Sequence, residues 1–305
     1  MASRHFLTLK DLSKEELKKI LSRAAQLKKK HYKNVLYQPF VGKVMAMIFE
    51  KSSTRTRVSF ETGMAQLGGS ALFLSPNDTQ LGRGECIEDS AKVISSMVDI
   101  IMMRTFSQKN IEDFASYSSV PVINALTDDY HPCQILADIQ AFIELRGDIQ
   151  GKNVTWIGDG NNMCQSYMHA AEMLDFKLTI ACPQGFKPCP KLLDQLSDHI
   201  VLTEDPSEAV TGAHLVATDT WASMGQESEK ATREKVFLRY QVNEEMMSLA
   251  DNDALFMHCL PAYRGQEVNE TILDSEYSGV WTAAENRLHS QKALIEFLLN
   301  SEILS

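Results

Sequence analysis

The run Phe49-Glu-Lys-Ser-Ser-Thr-Arg-Thr-Arg57 crowds Ser53, Thr54 and Thr56 together with Arg55 and Arg57, directly after an apolar segment. A strand that turns into a helix at such a run exposes free backbone N–H groups at the positive end of the helix dipole. The hydroxyls add donors, and the guanidinium forks match phosphate oxygens. By composition this is a phosphate cradle; an N-cap flanked by exposed arginines is the plainer alternative. It is not a Walker loop, because G-x-x-x-x-G-K-[ST] is absent.

Three further clusters sit at similar junctions. His131-Pro-Cys-Gln134 lies between an apolar segment and a helix, where His131 and Gln134 could donate to a carbonyl; taken alone, a helix that starts at proline with His131 capping it is the stronger reading. Arg104 ends an apolar segment, and an arginine at a strand end of an α/β sheet sits where ligands bind. Asp219-Thr-Trp-Ala-Ser-Met-Gly225 follows Leu215 to Thr218, so Asp219 could pair with a substrate ammonium or merely cap its loop. His258-Cys-Leu-Pro261 follows Ala254 to Met257. It suggests a metal ligand or a thiol nucleophile, yet no further ligands lie at zinc spacing, and a structural cysteine competes. Gly158-Asp-Gly-Asn-Asn-Met163 imitates a dinucleotide fingerprint. Met163 stands at the third glycine position, and the next strand ends in Ala181-Cys-Pro183 without an acidic residue, so nicotinamide binding is not expected.

The elements that must position these clusters alternate. Ser13-Lys-Glu-Glu16 is a capping box, followed by Leu17, Ile20, Leu21, Ala24 and Leu27 at helical spacing. Strands are predicted over 43–49, 71–74, 100–103 and 120–123, with helices over 53–67, 87–98, 108–117 and 134–145. After the turn Gly147-Asp-Ile-Gln-Gly151 the pattern restarts: strand 153–157, helix 162–174, strand 178–181, then strands 215–218 and 254–257 and a long helix 283–304. This predicts an α/β fold of two domains, each a mostly parallel sheet with helices on both faces. The expected division is 1–147 and 148–283, with a C-terminal helix, about 284–305, returning to the first domain. No repeat or low-complexity tract is evident.

Composition sets limits. The chain has 305 residues, 44% hydrophobic and 23% charged, which suits about two domains of roughly 150 residues. A net charge of −10 argues against nucleic acid or an anionic membrane as main partner, although a local basic pocket is compatible with it. The six cysteines form no C-x-x-C pair, as in ordinary cytosolic thiol usage. No apolar run approaches the roughly 20 residues of a membrane span, and Met1 to Lys10 has no signal-like core, so the expectation is a soluble cytoplasmic protein.

Taken in order, Ser53-Thr-Arg-Thr-Arg57, Arg104, His131-Pro-Cys-Gln134 and His258-Cys-Leu-Pro261 resemble the aspartate/ornithine carbamoyltransferase family over almost the whole chain. Cys259, the Ser223-Met-Gly225 loop after Asp219, and Gln80 in Thr79-Gln-Leu-Gly-Arg-Gly-Glu85 look like the ornithine branch. The resemblance implies transfer of a carbamoyl group from carbamoyl phosphate to the δ-amine of L-ornithine, giving citrulline, in arginine biosynthesis or in the catabolic direction. It implies that Ser53, Thr54, Arg55 and Thr56 hold phosphate, and that Arg104, His131 and Gln134 bind the carbamoyl end. Cys259, Leu260 (by its backbone) and Arg287 complete that pocket, and Gln80 reaches a neighbouring subunit's site. Asn162, Asp219, Ser223 and Met224 hold ornithine, and the loop Trp221 to Glu227 closes over it. Arg104, His131, Gln134, Asp219 and Cys259 are the implied catalytic set, with no metal and no organic cofactor, in a homotrimer or a multiple of trimers. Cys133 stands where the family commonly has threonine. A putrescine-type acceptor offers nothing to Asp219 and the Ser-Met-Gly loop, and a non-catalytic binding subunit would not need Arg55, Arg104, His131 and Arg287 together.

Overall fold

The computed structural model describes residues 3–75, 84–222 and 227–300. Gln80, Ser223 and Met224, and the last residues of the predicted C-terminal helix, lie outside the described residues. The chain divides into two compact units: residues up to Gln140 together with those from Glu285, and Ala141–Ala284.

In the first unit, helix α1 (Lys14–Tyr32) starts at the Ser13–Glu16 capping box and buries Leu17, Ile20, Leu21, Ala24 and Leu27. There follow β1 (Val44–Phe49), α2 (Thr54–Gln66), β2 (Ser70–Leu74), α3 (Ile87–Ser95), β3 (Ile100–Arg104), α4 (Gln108–Tyr117), β4 (Val122–Leu126) and α5 (Pro132–Arg146), whose residues from Ala141 on fall in the second unit. The strands form a parallel sheet in the order β2-β1-β3-β4. Its inner strands read as continuous apolar runs because helices cover both faces: Met45 to Phe49 and Ile100 to Met103 are buried throughout. The outer side of β4 is occupied by the N-terminal segment, where Phe6 donates to Val122 O and accepts from Asn124 N, each at 2.8 Å.

In the second unit come β5 (Asn153–Ile157), α6 (Asn162–Leu174), β6 (Lys177–Ala181), α7 (Pro190–Gln195), β7 (Ile200–Thr203), α8 (Pro206–Val210), β8 (Leu215–Thr218), α9 (Lys230–Phe237), α10 (Glu244–Met247) and β9 (Leu255–His258). The sheet is parallel, ordered β7-β6-β5-β8-β9. Helix α11 (Val280–Leu299) follows. From Glu285 on it belongs with the first unit, where Glu296 takes a forked pair from Arg23 (2.7 and 2.8 Å) and Asn286 accepts from Lys28 at 2.7 Å. Gly63 lets α2 lie close to it, since a Cβ there would meet Lys292 Cγ at 3.3 Å.

Local differences from the sequence reading have local causes. Strand β4 runs over 122–126 rather than 120–123; Pro121 has no N–H for the ladder, so regular pairing starts after it. Helix α5 begins at Pro132, whose missing N–H costs nothing in a first turn, so Gln134 lies inside the helix. Helix α3 stops at Ser95, where Ser96 and Met97 turn back onto the last carbonyls.

Candidate active site

In both units the candidate residues sit at the carboxyl ends of parallel strands, where open α/β sheets bind ligands. In the first unit these are the loops after β1, β3 and β4, and they are tied to one another. Glu50 N donates to Arg104 O at 2.8 Å, Asp128 N to Phe106 O at 2.8 Å, and the Thr105 hydroxyl to the Glu50 carboxylate. Lys51, buried, pairs with Asp128 and lies over the Phe106 ring at 4.3 Å.

Ser53 caps α2, its Oγ accepting from Thr56 N at 3.3 Å. The other N–H groups of the first turn have no intrahelical acceptor and remain suited to an anion. Arg55 is exposed and pairs with no acidic side chain among the described residues. Arg57 does not join the cradle: it turns to Glu61 at 3.2 Å and stacks on Phe73 at 3.9 Å. Arg104 follows a register shift between β3 and β4 at Met103/Arg104, an irregularity of the kind that re-aims a side chain.

Arg287 joins two of the predicted residues, Gln134 and Thr56. Buried to 3% exposure, it donates from Nη1 to Gln134 Oε1 at 2.6 Å and from Nη2 to Thr56 Oγ1 at 3.4 Å. Gln134 donates in turn to Asp138 at 2.8 Å. Gln291, with its amide oxygen turned to the guanidinium and its nitrogen to Ser59, accepts from Arg287 Nη2 and Nε at 3.0 Å. His131 is buried beside this group. Burial, then the charges of Arg287 and Arg104, push it well below the usual histidine range, so it is a neutral imidazole at neutral pH. Two guanidinium groups and a neutral imidazole favour an anion and can direct hydrogen bonds at a carbonyl oxygen without a third fixed charge. Cys133 donates its thiol to Asn124 O at 3.3 Å, the bond a threonine hydroxyl would make, and burial raises it to about 12, so it stays a thiol.

The second unit brings Asp219 and Cys259 together: Cys259 Sγ donates to Asp219 Oδ1 at 3.0 Å. Thr220 N donates to the same oxygen at 2.7 Å, and Asn161 Nδ2 to Oδ2 at 2.9 Å. The turn carrying Cys259 is braced by a buried pair. His258 Nδ1 accepts from Leu260 N at 2.9 Å, which places the ring proton on Nε2, facing Glu267 Oε1 at 3.2 Å; that oxygen also takes Tyr263 N. Leu260 itself is held at φ +57°, a conformation unusual for a leucine, and precedes a cis peptide to Pro261. Ligand atoms of Asp219, His258 and Cys259 fall within 4.8 Å of one another, but the His258 lone pair is taken by Leu260 N–H. As a metal set the three residues therefore do not fit.

The glycines of Gly158-Asp-Gly160 serve the chain itself. Gly158 has φ +128°, and a Cβ on Gly160 would fall on the backbone of Lys187 and Pro188. Met163 is buried in the first turn of α6, capped by Asn161 rather than opened toward a pyrophosphate. Asp159 bonds Arg233 at 2.6 Å, and burial raises its pKa despite that partner. Asn162, the expected ornithine ligand, opens α6, and its neighbour Asn161 makes the contact with Asp219. Sequence reasoning passed over Asn161, Glu267, Asp138 and Gln291. Asn161 was readable as the N-cap of α6, and Asp138 and Gln291 lie one helical turn from Gln134 and Arg287, so helical spacing pointed to both; Glu267 lies nine residues after His258 in irregular chain, where no periodicity marks it.

Residues 4–144 match the carbamoyl-P binding domain of aspartate/ornithine carbamoyltransferase, and residues 150–298 match its Asp/Orn binding domain. The ornithine carbamoyltransferase of Acinetobacter baumannii (strain AYE) is 63% identical over 303 residues, 99% of each chain. Among solved structures, the ornithine carbamoyltransferase of Burkholderia thailandensis E264 is 53% identical with a TM-score of 0.91, covering 97% of this chain and 99% of that one. The Pyrococcus furiosus enzyme is 46% identical with a TM-score of 0.93, covering 97% and 96%.

Proposed function

Because this chain belongs to the aspartate/ornithine carbamoyltransferase family, we propose that its two half-sites divide one reaction between them. The chain is a carbamoyltransferase that moves the carbamoyl group of carbamoyl phosphate to the δ-amine of L-ornithine, giving L-citrulline and phosphate. The observation that carries the division of labour is the segregation of charge. Arg104 and Arg287 act on neutral His131 in the first unit and Arg55 stands in the first turn of α2, while the second unit offers the Asp219 carboxylate and the Cys259 thiol.

In this reading Ser53, Thr54, Arg55 and Thr56 hold the phosphate of carbamoyl phosphate. Arg104, His131, Gln134 and Arg287 take its carbamoyl end, and the family resemblance assigns Cys259 and the Leu260 backbone to carbamoyl phosphate as well. Asn162, Asp219, Ser223 and Met224 hold ornithine. An alkylammonium with a pKa of about 10.4 must first lose a proton. Its nitrogen lone pair then forms the C–N bond to the carbamoyl carbon, and the carbonyl electrons move onto oxygen. Donors aimed at that oxyanion are worth about 3–4 kcal/mol each in comparable sites. The intermediate collapses by breaking the C–O bond to phosphate. Arg55 and the α2 N-terminus offset the charge on the departing phosphate, and the second amine proton leaves as the nitrogen becomes an amide.

The family resemblance supports a homotrimer or a multiple of trimers, with Gln80 contributed to a neighbouring subunit, and a role in arginine biosynthesis in the cytoplasm. Among the described residues no helix is long and apolar enough to cross a membrane. Light scattering that gives three chains per particle, with loss of activity in a Gln80→Ala trimer, tests the shared site. Single-chain particles with full activity would contradict it.

A further inference from the structure

We propose that Asn161 is a positioning residue of the ornithine half-site, fixing the Asp219 carboxylate so that one lone pair faces the incoming amine substrate. The inference rests on the reading of Asp219 as ornithine's partner. An ionised carboxylate offers about four lone-pair directions. Among the described residues three are occupied: Oδ1 takes Thr220 N (2.7 Å) and Cys259 Sγ (3.0 Å), and Oδ2 takes Asn161 Nδ2 (2.9 Å). One direction on Oδ2 is left for an ammonium.

Thr220 and Cys259 both hold Oδ1, so the orientation of Oδ2 depends on Asn161. The Asn161 amide is itself locked. Its Oδ1 accepts from Met163 N at 3.0 Å and Cys164 N at 3.2 Å as the N-cap of α6, so turning the amide would break the cap and set oxygen against the carboxylate. The carboxylate is thereby referenced to the axis of a buried helix. The same cap sets the first turn of α6, which begins with Asn162, so one side chain bears on two ornithine candidates, Asn162 after β5 and Asp219 after β8.

Asparagine as a plain N-cap is the competing explanation, and the two separate cleanly. Serine and threonine also cap helices but cannot reach Asp219 with a second group. Asn161→Ser and Asn161→Thr should keep the thermal transition close to wild type. At saturating carbamoyl phosphate each should raise the ornithine KM about ten-fold or more, the effect of losing a hydrogen bond to a charged group, with the carbamoyl phosphate KM unchanged. In an Asp219→Asn background the serine change should add less than about two-fold, because it acts through the carboxylate already removed.

Wild-type ornithine KM in both capping variants overturns the proposal, as does an equal effect in the two backgrounds. If Asp219→Asn alone leaves the ornithine KM unchanged, the reading of Asp219 falls and this inference falls with it. If Asp219→Asn raises that KM and Asn161→Ser does not, only this inference falls.

Discussion

Arg287 donates from Nη1 to Gln134 Oε1 at 2.6 Å, linking α11 to a residue 153 positions earlier at the start of α5. The contact sets a buried guanidinium among Gln134, Thr56 and Gln291 and beside the neutral His131. Arg287→Gln removes the charge and the fork. It should lower kcat/KM for carbamoyl phosphate by about a hundred-fold or more, with a much smaller change for ornithine. Steady-state kinetics with each substrate varied at saturating levels of the other would show this. Equal losses on both would place Arg287 outside the carbamoyl phosphate half-site.

The same division separates Arg55 from Asp219. Arg55 has no acidic partner among the described residues, so Arg55→Ala should leave stability within about 0.5 kcal/mol, as for an exposed site. It should weaken carbamoyl phosphate, measured as protection against thermal unfolding by that ligand alone. Asp219→Asn should keep that protection and lose ornithine selectively. Loss of carbamoyl phosphate protection in Asp219→Asn would contradict the partition.

Acid should weaken the fold through buried histidines. His289 is fully buried, and neither ring nitrogen has a hydrogen-bond partner among the described residues; burial, then Lys292, depresses its pKa to about 4. A histidine unfolds to a pKa of about 6.5, so the unfolded chain takes a proton that the fold refuses. Stability from this group is present above pH 6.5 and declines as pH falls toward about 4. His131 and His5 are depressed by burial too and act in the same direction. Urea unfolding between these pH values should show a shallower decline in His289→Leu than in wild type. Parallel profiles would show that His289 does not titrate in this way.

Glu267 should matter to the Cys259 turn without meeting substrate. Its Oε1 serves both the buried His258 Nε2 and the part-buried Tyr263 N. Glu267→Ala strands the buried His258 Nε2–H, whereas the part-buried Tyr263 N–H can turn to water, and should cost about 1–3 kcal/mol. Chemical denaturation reads that cost. Glu267→Gln, which keeps an acceptor oxygen, should recover most of it, and a glutamine variant no better than alanine would mean the charge itself is required.

Much of the framework was legible because it is local. The Ser13 capping box, α4 over 108–117, β5 over 153–157 and α6 over 162–174 follow from caps and apolar spacing, and the structure has them at those bounds or starting from that cap. Strand β7 escaped notice: Ile200 to Thr203 is a short edge strand with half-exposed side chains, lacking the continuous apolar run of its inner neighbours. Helices α7 to α10 are only four to eight residues long, too short for a periodic signal. In the site, Asp219 and Cys259 could be named from their motifs. That they touch, and that Asn161 reaches Asp219, depends on β5, β8 and β9 lying side by side, which no spacing along the chain encodes.

The central claim is that one protein joins a carbamoyl phosphate half-site to an ornithine half-site. A carbamoyl-transfer assay with carbamoyl phosphate and equal concentrations of ornithine, aspartate or putrescine tests it most directly. Citrulline from ornithine, with no comparable product from the other two, is the predicted result. Preferential carbamoylation of aspartate or putrescine would contradict the assignment of Asp219 and its loop, and no transfer to any acceptor would contradict the account as a whole.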